Sequence, residues 1–255
     1  MADQIIFEHP LNEKCRTLLR LSHLFEQFEH HLALPTEWSS RAALAALLDI
    51  AAVLARADIK SELIKESDRY VAALGKMADK PGVDRVRLEQ ILGDVQTVGE
   101  NLQRVQGQLG HALRSNDFLN AVVQRSSIPG GSCNFDLPQY HFWLNQPHET
   151  RHNQMSEWMQ ELHPVREAVV LLLNLVRNSN LPTRELAEQG FFQRTLESQA
   201  PAQMLRVSLP RSSTVFTEIS GNKHRFSIRF LQAVDNGKPL QTDKDVEFLL
   251  TACIF

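Results

Sequence analysis

Apolar positions recur every three or four residues through the first two thirds of the chain, a spacing that predicts amphipathic helices. The first periodic stretch covers residues 11–32, and Pro10 is expected at its first helical position because the proline ring already fixes a helical φ. Thr36, Asp58 and Asp84 precede later periodic stretches, and their side-chain oxygens are expected to cap those helices. Helices are therefore expected up to about residue 180.

A different pattern follows Pro182, where apolar and polar residues alternate with the period of two that is typical of β-strands. Short runs of this kind are 190–193, 205–209, 226–230 and 246–253. Asn236-Gly237 is a turn signal between two of them. In GNKHRFSIRF, residues 221–230, the apolar Phe226, Ile228 and Phe230 fall on one side of the expected strand.

The two patterns together predict an α+β protein with two domains. Residues 1–180 are expected to form a mainly helical domain, followed by a small domain of residues 181–255 with an antiparallel β-sheet. Residues 3–8 at the N-terminus can add a strand to that sheet. Trp38, Trp143 and Trp158 lie at helical spacings with other apolar residues and are expected in the helical core.

The overall charge limits the kinds of partner. The chain has 255 residues, 43% of them hydrophobic, and a formal net charge of −3. Such a chain is long enough to bury substantial cores, and its overall charge does not favour a polyanion. No nucleic-acid partner is expected, although binding of nucleic acid through the basic side of residues 221–230 stays open as a third interpretation. An acidic partner must therefore meet a local basic patch.

Cysteine spacing and hydropathy indicate the compartment. Cys15, Cys133 and Cys253 are widely spaced and include no C-x-x-C pair, which is typical of a reducing compartment. The first residues show no charged and then apolar leader, and the longest apolar run, residues 168–173, is far too short to span a bilayer. We therefore expect a cytoplasmic protein without membrane insertion.

One literal motif for metal chemistry occurs at residues 148–152, where His148, Glu149 and His152 match the H-E-x-x-H pattern of zinc hydrolases. Two histidines one helical turn apart would bind zinc, and the glutamate would act as the general base. The polar neighbours and Arg151 instead indicate a solvated helix turn. A zinc-dependent hydrolase is thus the alternative function. No phosphate loop of the G-x-x-x-x-G-K type occurs, and no cofactor is expected.

Arg225 and Arg229 lie on the polar side of the alternating strand, opposite its apolar row. An arginine presents a rigid fork of donors that matches a carboxylate, and its aliphatic stem can flank an apolar side chain. Such a face suits a short acidic and hydrophobic peptide. The same residues would also serve as a solvated face that prevents edge pairing. The pattern alone leaves both interpretations open.

Further segments along the chain follow one another in a recognisable order and spacing. They are FEHPLNEK at 7–14, Arg16, Arg20, Glu62-Leu63, Lys65-Glu66, Asp68-Arg69, PGVD at 81–84, SIPGG at 127–131, FDLP at 135–138, His141, Trp143-Leu144, ISG at 219–221, Lys223, Arg225-Phe226 and Ile228-Arg229-Phe230. Together these segments resemble the ZapD family of bacterial cell-division proteins.

The resemblance implies a cytoplasmic, non-enzymatic partner of FtsZ, the tubulin-like division protein, located at midcell with the division ring. It implies a homodimer, with dimerisation in the helical domain, that binds the C-terminal tail of FtsZ and cross-links or bundles FtsZ filaments to stabilise the Z-ring. The tail-binding residues of the family correspond to Arg20, Arg56, His141, Arg225 and Arg229. No catalytic residue, metal or cofactor is implied.

Overall fold

The computed structural model describes residues 3–56, 58–78, 81–196, 201–235 and 237–254. The chain divides into two compact units, which we call the helical unit and the β-unit. The helical unit is residues 20–172, and the β-unit combines the described residues up to Leu19 with those from Leu173 onward. The β-unit is thus built from both ends of the chain. The domain division at residue 180, with dimerisation in the first domain, stays a prediction.

Helices occupy most of the described chain before residue 178. They are α1 (Glu13–Leu32), α2 (Glu37–Arg56), α3 (Ile59–Gly75), α4 (Arg85–Arg104), α5 (His111–Arg114), α6 (Asp117–Ser126), α7 (Pro138–Leu144), α8 (His148–Gln160) and α9 (His163–Arg177). The division between the two units falls within α1 and α9.

Side-chain caps set the starts of three of these helices. The side-chain oxygens of Thr36, Asp58 and Asp84 each accept a hydrogen bond from the backbone N–H three residues later, at 3.0, 3.2 and 3.1 Å respectively. Each bond satisfies a donor that has no partner inside the helix and contributes about 1 kcal/mol. The three predicted caps are confirmed.

The start of α1 differs from the prediction. Pro10 is the last residue of the first strand, where it lies opposite Met204, and α1 begins at Glu13. Asn12 caps the helix instead, because its side-chain oxygen accepts a hydrogen bond from the Cys15 N–H at 2.8 Å. The helical φ of proline is also common in edge strands, so Pro10 fits the strand equally well.

Helix α2 provides much of the core of the helical unit. Leu44, Leu47 and Ile50 are completely buried. Among the described residues, α2 is the one helix that is long and apolar enough to cross a membrane, and half of its apolar window is buried inside the structure. Core helices commonly meet the same criterion, so α2 gives only weak support for a membrane span.

The three tryptophans have different environments. Trp143 is 6% exposed, and Trp158 is partly buried with its ring 5.8 Å from that of Phe118. Trp38 is 76% exposed, so its predicted place in the core was wrong. It lies at the start of α2, where the Arg41 guanidinium stacks 5.3 Å from its ring centroid. Helical spacing placed it near apolar residues but not on the buried face.

The described strands form two antiparallel sheets in the β-unit. They are β1 (Gln4–Pro10), β2 (Thr183–Ala187), β3 (Phe191–Thr195), β4 (Met204–Pro210), β5 (Val215–Gly221), β6 (Arg225–Gln232), β7 (Leu240–Gln241) and β8 (Val246–Cys253). One sheet has the order β1-β4-β8-β2, and the other has the order β3-β6-β5 with β7 also paired to β6. The α+β class and the N-terminal strand are confirmed.

A shared apolar core joins the two sheets. Phe226, Ile228 and Phe230 of β6 are buried at 3%, 0% and 0% exposure, which confirms the inward row read from the alternation. Phe248 of β8 contacts this core from the opposite sheet, with its ring centroid 4.9 Å from that of Phe230. Burying each phenylalanine contributes roughly 1.5–3 kcal/mol.

Three strands have weaker sequence patterns and were not predicted. They are β2, β5 and β7, whose side chains are mostly exposed or half-buried. Because alternation depends on one face being buried, strands with little buried surface show a faint period of two. In the predicted turn at residues 236 and 237, Asn236 lies outside the described residues.

Candidate functional site

Arg225 and Arg229 extend from the outer face of β6, opposite the buried phenylalanines, and both are exposed. The register of the sheet fixes their neighbours. Arg225 lies opposite Thr195 of β3, and Arg229 lies opposite Glu218 of β5. Because side chains on one face of a strand recur every second residue, Arg225 and Arg229 face the same side of this sheet.

A groove of about 660 Å³ lies at the Arg225 end of this sheet. Its lining comes from the ends of β3, β5 and β6 and consists of Phe191, Gln193, Arg194, Thr195, Ser220, Gly221, Asn222, Arg225, Phe226 and Ser227. The lining residues that the structure describes include two arginines and no carboxylate. Phe191 is 39% exposed and gives the groove an apolar wall. The groove therefore offers cationic and apolar surface together.

Gly221 allows β5 and β6 to pair closely beside this groove. A Cβ atom at Gly221 would lie 2.7 Å from Cβ of Phe226, its cross-strand partner, and 3.3 Å from the carbonyl oxygen of Arg225. The first of these distances is too short for two carbon atoms, so a side chain here would displace the start of β6. Glycine thus lets β5 and β6 pair closely where Arg225 enters the groove.

The three arginines on or beside this face differ in their partners. Arg194 binds Glu185 at 2.6 Å and stacks over the Phe192 ring at 5.0 Å, and Arg229 binds Glu218. The guanidinium of Arg225 has no hydrogen-bond or ion-pair partner within the described ranges.

The pairing of Arg194 also affects its carboxylate partner. Burial acts to raise the pKa of Glu185, but hydrogen bonds from Arg194 and Thr183 outweigh it and hold that pKa below its usual value. Glu185 therefore stays ionised and keeps Arg194 engaged, which leaves Arg225 as the arginine best placed to meet a carboxylate in the groove.

Arg20 and Arg56 come together in the helical unit. They line one groove of about 270 Å³ together with His23, Leu24, Asp49, Ala52 and Val53. The lining positions of α1 recur after three and four residues, as do those of α2, so each helix contributes one face. Leu24, Ala52 and Val53 form the apolar floor. Neither arginine has an ion-pair partner among the residues that the structure describes.

His141 has a separate position in the helical unit. It lies on α7, a helix that begins favourably with Pro138, and its side chain is exposed. No contact joins His141 to Arg20 or Arg56 in the part of the chain that is described. The candidate residues therefore form two arginine pairs and one histidine, with Arg225 and Arg229 in the β-unit and the other three in the helical unit.

The sequence interpretation missed several residues of these surfaces. Phe191 and Glu218 reach the outer face of the β-unit by pairing with Arg229, and Arg194, which lies opposite Phe226, reaches the groove from the edge strand β3. Beside Arg56, a second groove of about 310 Å³ is lined by residues 54–56, 58–60 and 107–109, with Lys60 among them. The basic character of Arg194 and Lys60 was the one signal in the sequence that could have indicated these surfaces. The strand pairs that bring the other residues together lie far apart along the chain.

The H-E-x-x-H residues occupy the first turns of α8. The ring centroids of His148 and His152 are 5.8 Å apart, and His148 Nε2 is buried with no hydrogen-bond partner within the described chain. Glu149 is exposed. No group of three or more histidine, cysteine or carboxylate side chains placed to hold a metal ion occurs among the described residues.

Arg151, inside the same motif, does not have the solvated position that was expected for it. It is 5% exposed, and its guanidinium donates to Ser40 Oγ at 3.0 Å, to the Leu144 carbonyl at 2.8 Å and to the Pro35 carbonyl at 2.9 Å. A buried cation within the motif disfavours a dication beside it. The motif therefore holds a structural arginine.

Comparison with known proteins adds the family. A family model described as "ZapD: Cell division protein" matches residues 19–229 of this chain. The chain belongs to the ZapD family. It is 44% identical over 254 residues to a protein of Methylococcus capsulatus named "Cell division protein ZapD", and the match covers 100% of both chains. The resemblance predicted from short segments is thereby confirmed, and a role in cell division follows for this ZapD-family protein.

Proposed function

We propose that this ZapD-family protein is a non-enzymatic division factor that binds the C-terminal tail of FtsZ. The observation that carries the proposal is the groove beside Arg225, where an unpaired guanidinium and the exposed ring of Phe191 lie together. A tail with acidic and apolar residues is complementary to that combination. The Arg20–Arg56 groove has an apolar floor and two arginines against the single carboxylate of Asp49, and it supports the same partner chemistry.

The residues proposed to bind the tail are Arg20, Arg56, His141, Arg225 and Arg229. All five are exposed, so a peptide reaches them without unfolding either unit. Exposed charges are screened over about 10 Å at 0.1 M ionic strength, so each contact is modest and sensitive to salt. Binding is expected to weaken as salt is raised.

The proposed working form is a homodimer, with dimerisation assigned to the helical domain, in the cytoplasm at midcell with the division ring. Two tail sites on one dimer would cross-link filaments that display many tails. Once one tail is bound, the second binds at a high effective concentration, so modest single affinities are sufficient for bundling and for stabilising the Z-ring.

Co-sedimentation with polymerised FtsZ tests the proposal. Wild type is expected to increase the pelleted FtsZ at low centrifugal force, whereas Arg225→Glu and Arg229→Glu are expected to lose this effect. Reversing an exposed charge should leave folding unchanged, because surface substitutions alter stability by only about 0.5 kcal/mol.

Arg211→Glu is the matched control, since Arg211 is exposed and precedes β5 at the end opposite to the groove. It is expected to bundle FtsZ as wild type does. Undiminished bundling by both Arg225→Glu and Arg229→Glu would refute the proposed site. Equal binding of a DNA oligomer and of the FtsZ tail at two salt concentrations would favour the nucleic-acid interpretation instead.

A further inference from the structure

We infer that Glu218 is an internal competitor for Arg229, and that an acidic residue of the bound tail must displace it. The inference rests on the proposed function and assigns to Glu218 a limit on how tightly acidic tails bind. Glu218 thus determines specificity by lowering the preference of the site for acidic over neutral tails. It would act by occupying Arg229 until a better carboxylate arrives.

The geometry places the two charges together on the outer face. Glu218 of β5 is directly opposite Arg229 of β6, and Oε2 of Glu218 forms an ion pair with Nη2 of Arg229. Their side chains are 53% and 55% exposed, so the pair lies in water. No other hydrogen bond or ion pair of either side chain occurs within the described part of the protein.

Arg225, four residues earlier on the same face, has a different environment. Its cross-strand neighbour on β3 is the neutral Thr195. Asn222 Oδ1 accepts a hydrogen bond from the backbone N–H of Arg225 at 3.1 Å, and this bond does not involve the guanidinium. One arginine of the pair is therefore free and the other is occupied. A peptide carboxylate reaches Arg225 without competition but must replace Glu218 at Arg229.

The energies allow this replacement. An exposed ion pair contributes only about 0.2–1 kcal/mol, which corresponds to at most about a fivefold effect on an equilibrium. A peptide carboxylate already held near Arg225 competes at a high local concentration. A neutral peptide gains nothing from Arg229, because Glu218 stays in place. The pair thus weakens the binding of acidic tails slightly, because only an acidic tail displaces Glu218 and loses its ion pair with Arg229. The binding of a neutral tail is hardly affected.

Fluorescence anisotropy with two labelled peptides tests the inference. One is a synthetic FtsZ C-terminal tail peptide, and the other is the same peptide with its Asp and Glu residues changed to Asn and Gln. Glu218→Gln is expected to tighten binding of the acidic peptide about two- to fivefold and to change binding of the amide peptide less than about twofold. Both effects are expected to shrink as salt is raised.

Two further variants separate exchange at Arg229 from a general change of charge. Glu247→Gln removes the same charge from an exposed position on β8, in the other sheet, and should change binding less than about twofold. In an Arg229→Gln background, Glu218→Gln should no longer increase the affinity for the acidic peptide, because there is no guanidinium at position 229 for Glu218 to occupy. This double-mutant comparison measures the coupling of the two residues.

The sign of the change decides the inference. Weaker or unchanged binding by Glu218→Gln would overturn it, since Glu218 would then position Arg229 or have no role. An equal gain in the Arg229→Gln background would also overturn it. Failure of the proposed function looks different, because wild type and Arg225→Glu would then bind the acidic peptide equally weakly.

Discussion

Replacing Arg151 by methionine is expected to destabilise the protein strongly, although arginine is usually a surface residue. The guanidinium is buried and donates four hydrogen bonds, to the carbonyls of Leu144, Gln146 and Pro35 and to the hydroxyl of Ser40. It joins the ends of α1 and α7 to the start of α2. Methionine fills a similar volume but donates to none of these acceptors.

The expected size follows from the four bonds. Each hydrogen bond to a charged donor contributes about 1.5–3 kcal/mol, and a buried acceptor left without a partner costs about 1–3 kcal/mol. Part of this loss is offset, because the variant no longer pays the desolvation penalty of a buried charge and because water can enter to bind the freed acceptors. We expect Arg151→Met to lower the free energy of unfolding by about 3–5 kcal/mol. Arg151→Lys keeps the charge but loses the planar fork, and an intermediate loss is expected.

Urea unfolding followed by helical circular dichroism measures this effect. Arg104→Met is the matched control, because Arg104 ends α4 with 73% side-chain exposure and pairs only locally with Glu100 and Asn101. It should change stability by no more than about 0.5 kcal/mol. If Arg151→Met were as stable as Arg104→Met, the structural role assigned to Arg151 would be refuted.

Three further predictions concern the β-unit and the cysteines. Gly190→Ala should lower the free energy of unfolding, measured by heat or urea, by about 2–4 kcal/mol. The reason is that residue 190 has φ +70° and that a Cβ atom there would lie 2.6 Å from Thr242. A variant as stable as wild type would contradict this. Thiol titration should find one accessible cysteine, Cys133, in the folded protein and three after unfolding, since burial raises the pKa of the other two thiols to about 12 and about 11. Burial and the charge of Arg16 lower the pKa of His9 below 6.5, so the folded state resists its protonation. The stability that neutral His9 contributes is fully present above pH 6.5 and is lost as the pH falls from 6.5 through the lowered pKa. Between pH 7 and pH 5, His9→Gln should therefore lose less stability than wild type. Equal losses in the two proteins would contradict this prediction.

The sequence was informative where one physical requirement dominates the choice of residues. Burial of one face of β6 imposes the alternation of residues 226–230, so the inward row could be predicted without any knowledge of its neighbours. The caps Asp58 and Asp84 could be predicted for a similar reason, since few side chains satisfy the first N–H groups of a helix.

Long-range pairing could not be predicted in the same way. Glu218 and Arg229 are opposite one another only because β5 and β6 pair in one particular register, which depends on a hairpin with weak turn signals. Arg151 was assigned to a solvated surface because charged residues are seldom buried, and the four acceptors that bury it come from distant segments. The tail-binding roles of the five candidate residues stay predictions.

The most direct test of the central claim is the affinity of the FtsZ C-terminal tail peptide for this protein, measured at about 0.1 M salt. Wild type should bind the peptide, and Arg225→Glu should bind it at least about tenfold more weakly, because an attraction in the groove becomes a repulsion. Arg211→Glu should match wild type. Equal affinities for all three proteins would contradict the account.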